Sequence, residues 1–355
     1  MAVLVSDELR VHGVTLELGS TVASIQEATI TLIDGRVLPA DLIVGSIGVR
    51  PDVHLALEAG IVIGPNGGIA VNEASQTSEP DIYAVGDAVE KDDAISNATS
   101  LIALANVANR QGRRVADHIA GRPSKEVRSI GTAIVKVFDL DVATTGWNER
   151  KLKETGRRFQ GIHSHPFDHA TYYPGANRMA AKLLFDLDDG SILGAQFVGR
   201  SGVDKRIDVI ATAMSGGITA SQLADLELAY APPFSSAKDP VNLLGYMAEN
   251  VMSGDCDVIG TDEIDQARSE GWLLLDVRSK EEHEAGSIPG SINVPVDDLR
   301  DHLAELRASP LIVYCEVGQR GHTAAALLQE LGYRVRNLDG GYKTYLGTTR
   351  ARFTV

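Results

Sequence analysis

The sequence has only two cysteines, Cys256 and Cys315, in 355 residues. Two cannot build a disulfide framework, so the core must hold by packing. No apolar run approaches the roughly 20 residues of a bilayer-crossing helix. Met1-Ala2-Val3-Leu4-Val5 gives way at once to Ser6-Asp7-Glu8, which lacks the apolar stretch of a signal peptide. Basic residues are outnumbered, 33 against 48, and a net charge of −15 opposes nucleic-acid or anionic-membrane binding. No Gly-x-Gly-x-x-Gly turn for a dinucleotide pyrophosphate occurs, and no repeat of fixed period. Free thiols and the missing leader point to a reducing, cytoplasmic setting.

What is present suggests two or three domains. Alternation and turn residues predict a helix near Asp7–Val11, strands over 13–19, 28–32 and 36–38, and a hairpin at Ile33-Asp34-Gly35. Asp41 to Pro51 reads as a buried strand ending in glycine and proline. Strands over 133–138, 142–146, 179–186 and 192–199, a hairpin at Asp188-Asp189-Gly190 and helices over 203–215 and 220–228 suggest an α+β unit.

One stretch carries a complete chemical constellation. Leu311-Ile312-Val313-Tyr314 is a short buried strand, Cys315 ends it, and a loop with Gly318, Arg320 and Gly321 leads into a helix from Thr323. A cysteine at such a turn faces free backbone N–H groups and the positive end of the helix dipole. Both favour the thiolate, and Arg320 adds a fixed positive charge. The glycines let amides point inward as an anion cradle. The competing reading is a small buried hydrophobe.

Around that loop, Leu273 to Arg278, Gly286 to Pro295 and Asp339-Gly340-Gly341-Tyr342 resemble a rhodanese domain from about Thr261 to Leu346. The resemblance implies a sulfane sulfur carried on Cys315, with Arg320 as the loop arginine and Asp276 and Arg278 as structural residues. Ser287 replaces a usual histidine, and Gly321 stands where serine or alanine often sits, which would loosen the cradle.

Thr77 to Asp87, ending in Gly86-Asp87, resembles the second FAD-binding motif of the pyridine nucleotide–disulfide oxidoreductases. There the aspartate, here Asp87, holds the ribityl chain beside Gly86. The helix from Leu104-Ala105 resembles the one facing the flavin ring, which brings Ala105 to the cofactor; a plain amphipathic helix explains its composition equally well. Residues 129–252 resemble the family's dimerisation domain. Tyr172-Tyr173-Pro174 and Tyr230-Ala231-Pro232 resemble coenzyme A–disulfide reductases, in which tyrosines matching Tyr172 and Tyr230 approach the sulfur site from the partner subunit. The alternative is a pair of half-buried interface tyrosines. Phe234 stands where a further tyrosine often occurs.

The resemblance thus implies an α/β and α+β multidomain chain. A remnant of a nicotinamide domain spans 1–50, part of an FAD domain 51–128, a dimerisation domain 129–252 and a rhodanese domain 259–350. It implies FAD, NAD(P)H and coenzyme A as cofactors, a small thiol, disulfide or persulfide as substrate, and a homodimer. Sulfur transfer alone, on a dimerising scaffold, is the alternative. His163, His165 and His169 lack metal-ligand spacing and read as a histidine-rich surface loop. Lys205 and Arg206 are candidates for coenzyme A phosphates or for a solvated helix face. Cys256 lies between two acids and reads as a linker cysteine with a raised pKa.

Overall fold

The computed structural model describes residues 1–123, 128–306 and 309–352. The chain forms two units, Glu17–Ala133 and Met1–Leu16 together with Ile134–Val355. Helix α1 (Ala2–Val11) belongs to the second.

In the first unit β1 (Val22–Gln26), β2 (Thr29–Leu32) and β3 (Val37–Pro39) form an antiparallel ribbon in that order. The expected hairpin turns at Gly35, whose φ of +85° only glycine adopts freely. Helix α2 (His54–Glu58), strands β4 (Lys91–Asp92) and β5 (Thr99–Ser100), and helix α3 (Ala105–Ile119) follow. Two expected strands are absent, over 13–19 and over 41–51. Leu42 and Val44 are 84% and 80% exposed. An apolar run becomes a strand only where neighbours pair with it, and these residues take no strand conformation.

The middle of the chain builds β6 (Ala133–Val137), β7 (Leu140–Gly146), α4 (Glu149–Thr155), β8 (Phe159–Ser164), β9 (Ala180–Asp186), β10 (Ile192–Gly199), α5 (Val203–Gly216) and α6 (Pro240–Met252). The sheet order is β6-β7-β10-β9-β8, with β8 at an edge. Val203, Ile207, Ile210 and Ala213 recur on one face of α5 and pack with Ile162, Phe185 and Phe197 of the sheet. The helix expected over 220–228 shrinks to one 3₁₀ stretch, Ser221–Asp225. Asn242 explains this, because its Nδ2 donates to the carbonyls of Leu223, Ala224 and Leu226 at 3.1, 3.3 and 2.9 Å. Those carbonyls are no longer free for a helical ladder.

The C-terminal domain is a doubly covered parallel sheet. Its elements are β11 (Val258–Ile259), α7 (Ile264–Ser269), β12 (Leu273–Asp276), α8 (Lys280–Glu284), β13 (Ile292–Asn293), α9 (Leu303–Leu306), β14 (Leu311–Tyr314), α10 (Gln319–Glu330), β15 (Val335–Leu338) and α11 (Gly341–Arg352). The order β11-β15-β14-β12-β13 puts β14 at the centre. Leu311 and Val313 enter one apolar cluster, Ile312 and Tyr314 the other. Burial on both faces is why this strand reads as an unbroken apolar run. Among the described residues no helix is long and apolar enough to cross a membrane.

Candidate functional site

Cys315 follows the last residue of the central strand β14, at the carboxyl end where open α/β sheets place ligands. Gly318, at φ +91°, turns the chain directly into α10. The helix therefore begins at Gln319, four residues before the sequence suggests, and Arg320 and Gly321 lie in its first turn. No side chain caps that turn, so its leading amides remain available to an anion beside Cys315. Cys315 itself is 1% exposed and belongs to the buried apolar cluster that includes Leu275, Val313 and Ala324. The apolar surroundings and the helix start meet at this one residue.

Arg320 is not a free cation. Its guanidinium donates to both carboxylate oxygens of Glu282, at 2.7 and 2.6 Å. Glu282 also closes a capping box on Ser279 at the start of α8. The arginine's pKa is raised, first by the hydrogen bond to Glu282 and to a lesser degree by Cys315. Sequence reasoning missed Glu282, although Ser279-x-x-Glu282 is a visible capping signature.

The pair makes a pH prediction. Hydrogen bonds from Arg320, opposed by partial burial, hold the Glu282 carboxyl down at about 2 against an ordinary 4.5. A depressed folded-state pKa gives stability that is complete above the ordinary value and lost as pH falls through the folded one. Between about pH 5 and about pH 3 the melting temperature of wild type should fall more steeply than that of Glu282→Gln. Parallel curves for the two proteins would show that the pair contributes nothing in that window.

The loop is closed from behind by α11. Tyr342 N donates to Cys315 O at 2.8 Å, and Lys343 N to Glu316 O at 2.9 Å. A Cβ at Gly341 would stand 2.4 Å from Cys315 O and 2.7 Å from Gly318 N, and its φ is +62°. Gly341→Ala should therefore cost about 3 kcal/mol or more in denaturant unfolding and disrupt the loop. Gly347→Ala, in the same helix with nothing within 4 Å, is the neutral control. Equal unfolding midpoints for the two variants would remove this reading. The departure at Gly321 has a physical cause too. A Cβ there would meet Asn337 Oδ1 at 2.5 Å, so the space is filled rather than loosened.

A second constellation lies in the middle domain. The Tyr172 and Tyr230 hydroxyls are 2.8 Å apart, with the residues 74% and 48% exposed. The bond to Tyr172 raises the Tyr230 pKa. Beside them a cleft of about 440 Å³ is lined by Asp168, His169, Lys205, Tyr230 and Phe234, among others. Arg206 is neither a phosphate ligand nor a solvated residue, because it is 1% exposed. Its guanidinium donates to Asp168 O at 2.9 Å, Ser235 Oγ at 3.2 Å and Asp239 Oδ2 at 2.9 Å. Lys205 leans toward the same carboxylate at 3.6 Å.

In the other unit Gly86 opens a single 3₁₀ turn, Gly86–Ala88, at φ +81°. Gln111 Oε1 accepts from its N–H at 3.0 Å, and Lys91 Nζ donates to its carbonyl at 2.6 Å. Both polar groups of the glycine are thus fixed from buried side chains, while Asp87 points outward and stays exposed. Ala105 begins α3, whose first turn has no side-chain cap. An exposed carboxylate on a pinned turn and uncapped helix amides suit a hydroxyl- and carbonyl-bearing ligand.

The three histidines do not form a loose surface loop. His163 lies in β8 and bonds Asp339 of the C-terminal domain through its backbone N–H at 2.6 Å and through its ring. His165 Nε2 meets Thr344 Oγ1 at 2.8 Å, and burial, helped by Lys343, pushes its pKa down to about 3. His169 pairs with Asp168 at 2.9 Å. Tertiary partners some 176 residues away leave no local signal in sequence. Cys256 is buried, and burial first, then Asp257, pushes its thiol up to about 11.

Three family models match the chain. Residues 1–112 match pyridine nucleotide-disulphide oxidoreductase, 132–240 the dimerisation domain of that family, and 261–348 a rhodanese-like domain. A coenzyme A disulfide reductase of Staphylococcus aureus (strain bovine RF122 / ET3-1) is 34% identical over 244 residues, which are 68% of this chain and 55% of the relative. The solved structure of reduced Bacillus anthracis CoADR-RHD superposes with a TM-score of 0.97 at 45% identity, covering 99% of this chain and 64% of the other. An NAD-dependent persulfide reductase from A. fulgidus gives 0.87 at 37% identity, covering 96% and 63%. The chain thus spans about half the length of the curated relatives it matches.

Proposed function

We propose, for a chain that belongs to the pyridine nucleotide-disulphide oxidoreductases and carries a rhodanese-like domain, that it is the sulfur-carrying and dimerising part of a reductase of coenzyme A disulfide or persulfide. The observation that carries this is the placement of Cys315 between β14 and the uncapped start of α10, with Arg320 in that helix's first turn. The Cys315 thiolate attacks the outer sulfur of a persulfide or of thiosulfate. A new S–S bond forms on Cys315, the donor's S–S bond breaks, and the donor leaves as a thiolate or sulfite with the electron pair. The α10 amides and Arg320 stabilise the terminal sulfur anion.

Tyr172 and Tyr230, as a hydrogen-bonded pair, supply a proton to a leaving thiolate. In the homodimer the pair would serve the other subunit's sulfur site. Asp87 and the first amides of α3 would hold FAD, on the pinned turn at Gly86. When bound, FAD would pass electrons from NAD(P)H to a sulfur substrate. The two thiols and the absence of any structural disulfide suit the cytoplasm.

Treatment with thiosulfate or a thiol persulfide, followed by mass spectrometry of the Cys315 peptide, tests the reading. The expected result is a gain of one sulfur atom on Cys315 and none on Cys256. An unmodified Cys315 after donor treatment would end it.

A further inference from the structure

The sulfur loop is braced from outside its own domain. Asp339 is 6% exposed, and both oxygens of its carboxylate meet His163, one at the backbone N–H and one at the ring Nδ1. His163 belongs to the edge strand β8 of the dimerisation sheet. Directly after Asp339 come Gly340 and Gly341, both at φ +62°. A Cβ on Gly340 would lie 2.9 Å from the His163 Cβ, so the two backbones are in close contact. From Gly341 the chain enters α11, whose first amides hold the carbonyls of Cys315 and Glu316. The path from β8 to the sulfur-bearing residue is therefore short: His163, Asp339, the glycine pair, Tyr342 N, Cys315 O.

The opposite wall is also touched. His322, two residues beyond Arg320 in α10, lies 3.4 Å from Asn250 Nδ2 of α6. His165 and Thr344 add a second bond on the α11 side. Both helices that shape the loop are thus held by residues of the dimerisation domain.

We propose that His163 is a positioning residue for sulfur transfer: through Asp339 it fixes the start of α11 and with it the backbone of the Cys315 loop. The inference rests on Cys315 being the sulfur carrier. A paired glycine hinge has wide freedom of its own, so the anchor before it sets the direction in which α11 begins. Without the imidazole, Asp339 keeps one backbone N–H and loses its other partner while still buried. The loop then samples geometries in which the α10 amides and Arg320 no longer converge on one point.

The test uses the whole chain. In His163→Ala, kcat for sulfur transfer from thiosulfate to cyanide should fall about tenfold with KM within about twofold. Amide exchange over 315–321 should quicken by about tenfold while the central strands keep their protection. His163→Asn should recover most of kcat, because its Nδ2–H stands near the position of the imidazole Nδ1–H. Unchanged kcat and exchange in His163→Ala would overturn the proposal. So would a uniform rise in exchange across the domain that His163→Asn fails to reverse, since that marks general destabilisation. If wild type takes no sulfur on Cys315, the sulfur-carrier reading fails, and the exchange data alone decide whether His163 shapes the loop.

Discussion

Replacing Cys315 with alanine or serine is expected to reduce sulfur transfer to the uncatalysed background, a loss of about a thousandfold or more. A hydroxyl cannot form the S–S bond that carries the cargo, and a methyl has no nucleophile at all. The two variants separate chemistry from folding. Serine keeps a polar atom beside the uncapped amides of α10 at a site 1% exposed, but its hydroxyl is no sulfur nucleophile. Alanine keeps the apolar character and should fold like wild type, so its inactivity reports the missing sulfur. Cys256→Ala should retain activity, because burial and Asp257 hold that thiol protonated. Thiocyanate formed from thiosulfate and cyanide is the readout. Turnover by Cys315→Ala within tenfold of wild type would move the cargo to another residue.

The C-terminal domain was legible because its signals are local. The apolar run of β14, the cysteine, the glycine turn and the following helix lie within twenty consecutive positions and keep their expected order, the helix starting four residues early. The hairpins at Asp34-Gly35 and Asp188-Asp189-Gly190 were legible for the same reason. What failed depends on distant partners. Leu42 and Val44 have the composition of a buried strand, yet composition does not say whether a neighbouring strand is there to pair with them. Residues 220–228 have a helical pattern, but the Asn242 amide claims the carbonyls first. A charge on a helix reads as solvated until the fold buries it, as with Arg206. Glu282 shows the intermediate case, since its cap is local and its bond to Arg320 is not. The site's electrostatics were harder to read than its covalent layout, because a pattern lists charges and the fold decides which cancel.

Arg206→Met is expected to be the most destabilising single change in the middle domain, costing about 3–5 kcal/mol. The guanidinium joins two segments that are far apart in sequence. One is the turn after Asp168, whose side chain also accepts from the backbone of His169 and Asn177 and so closes the loop bearing Tyr172. The other runs from Tyr230 through Ser235 to Asp239. Burial alone would push the Asp239 carboxyl up, but bonds from Ser235, the Val241 amide and Arg206 together hold it below the usual range. Methionine fills much of the volume and supplies no donor, so a 2% exposed carboxylate loses its nearer charged partner and keeps only Lys205 at 3.6 Å. Arg206→Lys should fall between, since one ammonium cannot serve a backbone carbonyl, a hydroxyl and a carboxylate in the geometry of a planar fork. The linkage has a sign. Asp239's depressed folded pKa stabilises wild type above the ordinary carboxylate range and less as pH falls, and the methionine variant should show a weaker dependence there. The tyrosines report the local consequence. With the clamp gone, the 2.8 Å bond between Tyr172 and Tyr230 should break, and the Tyr230 ionisation should return toward that of an isolated phenol in alkaline absorbance titration. A methionine variant that unfolds within about 1 kcal/mol of wild type and keeps the shifted phenol would show that the two tyrosine segments hold their register without the buried arginine.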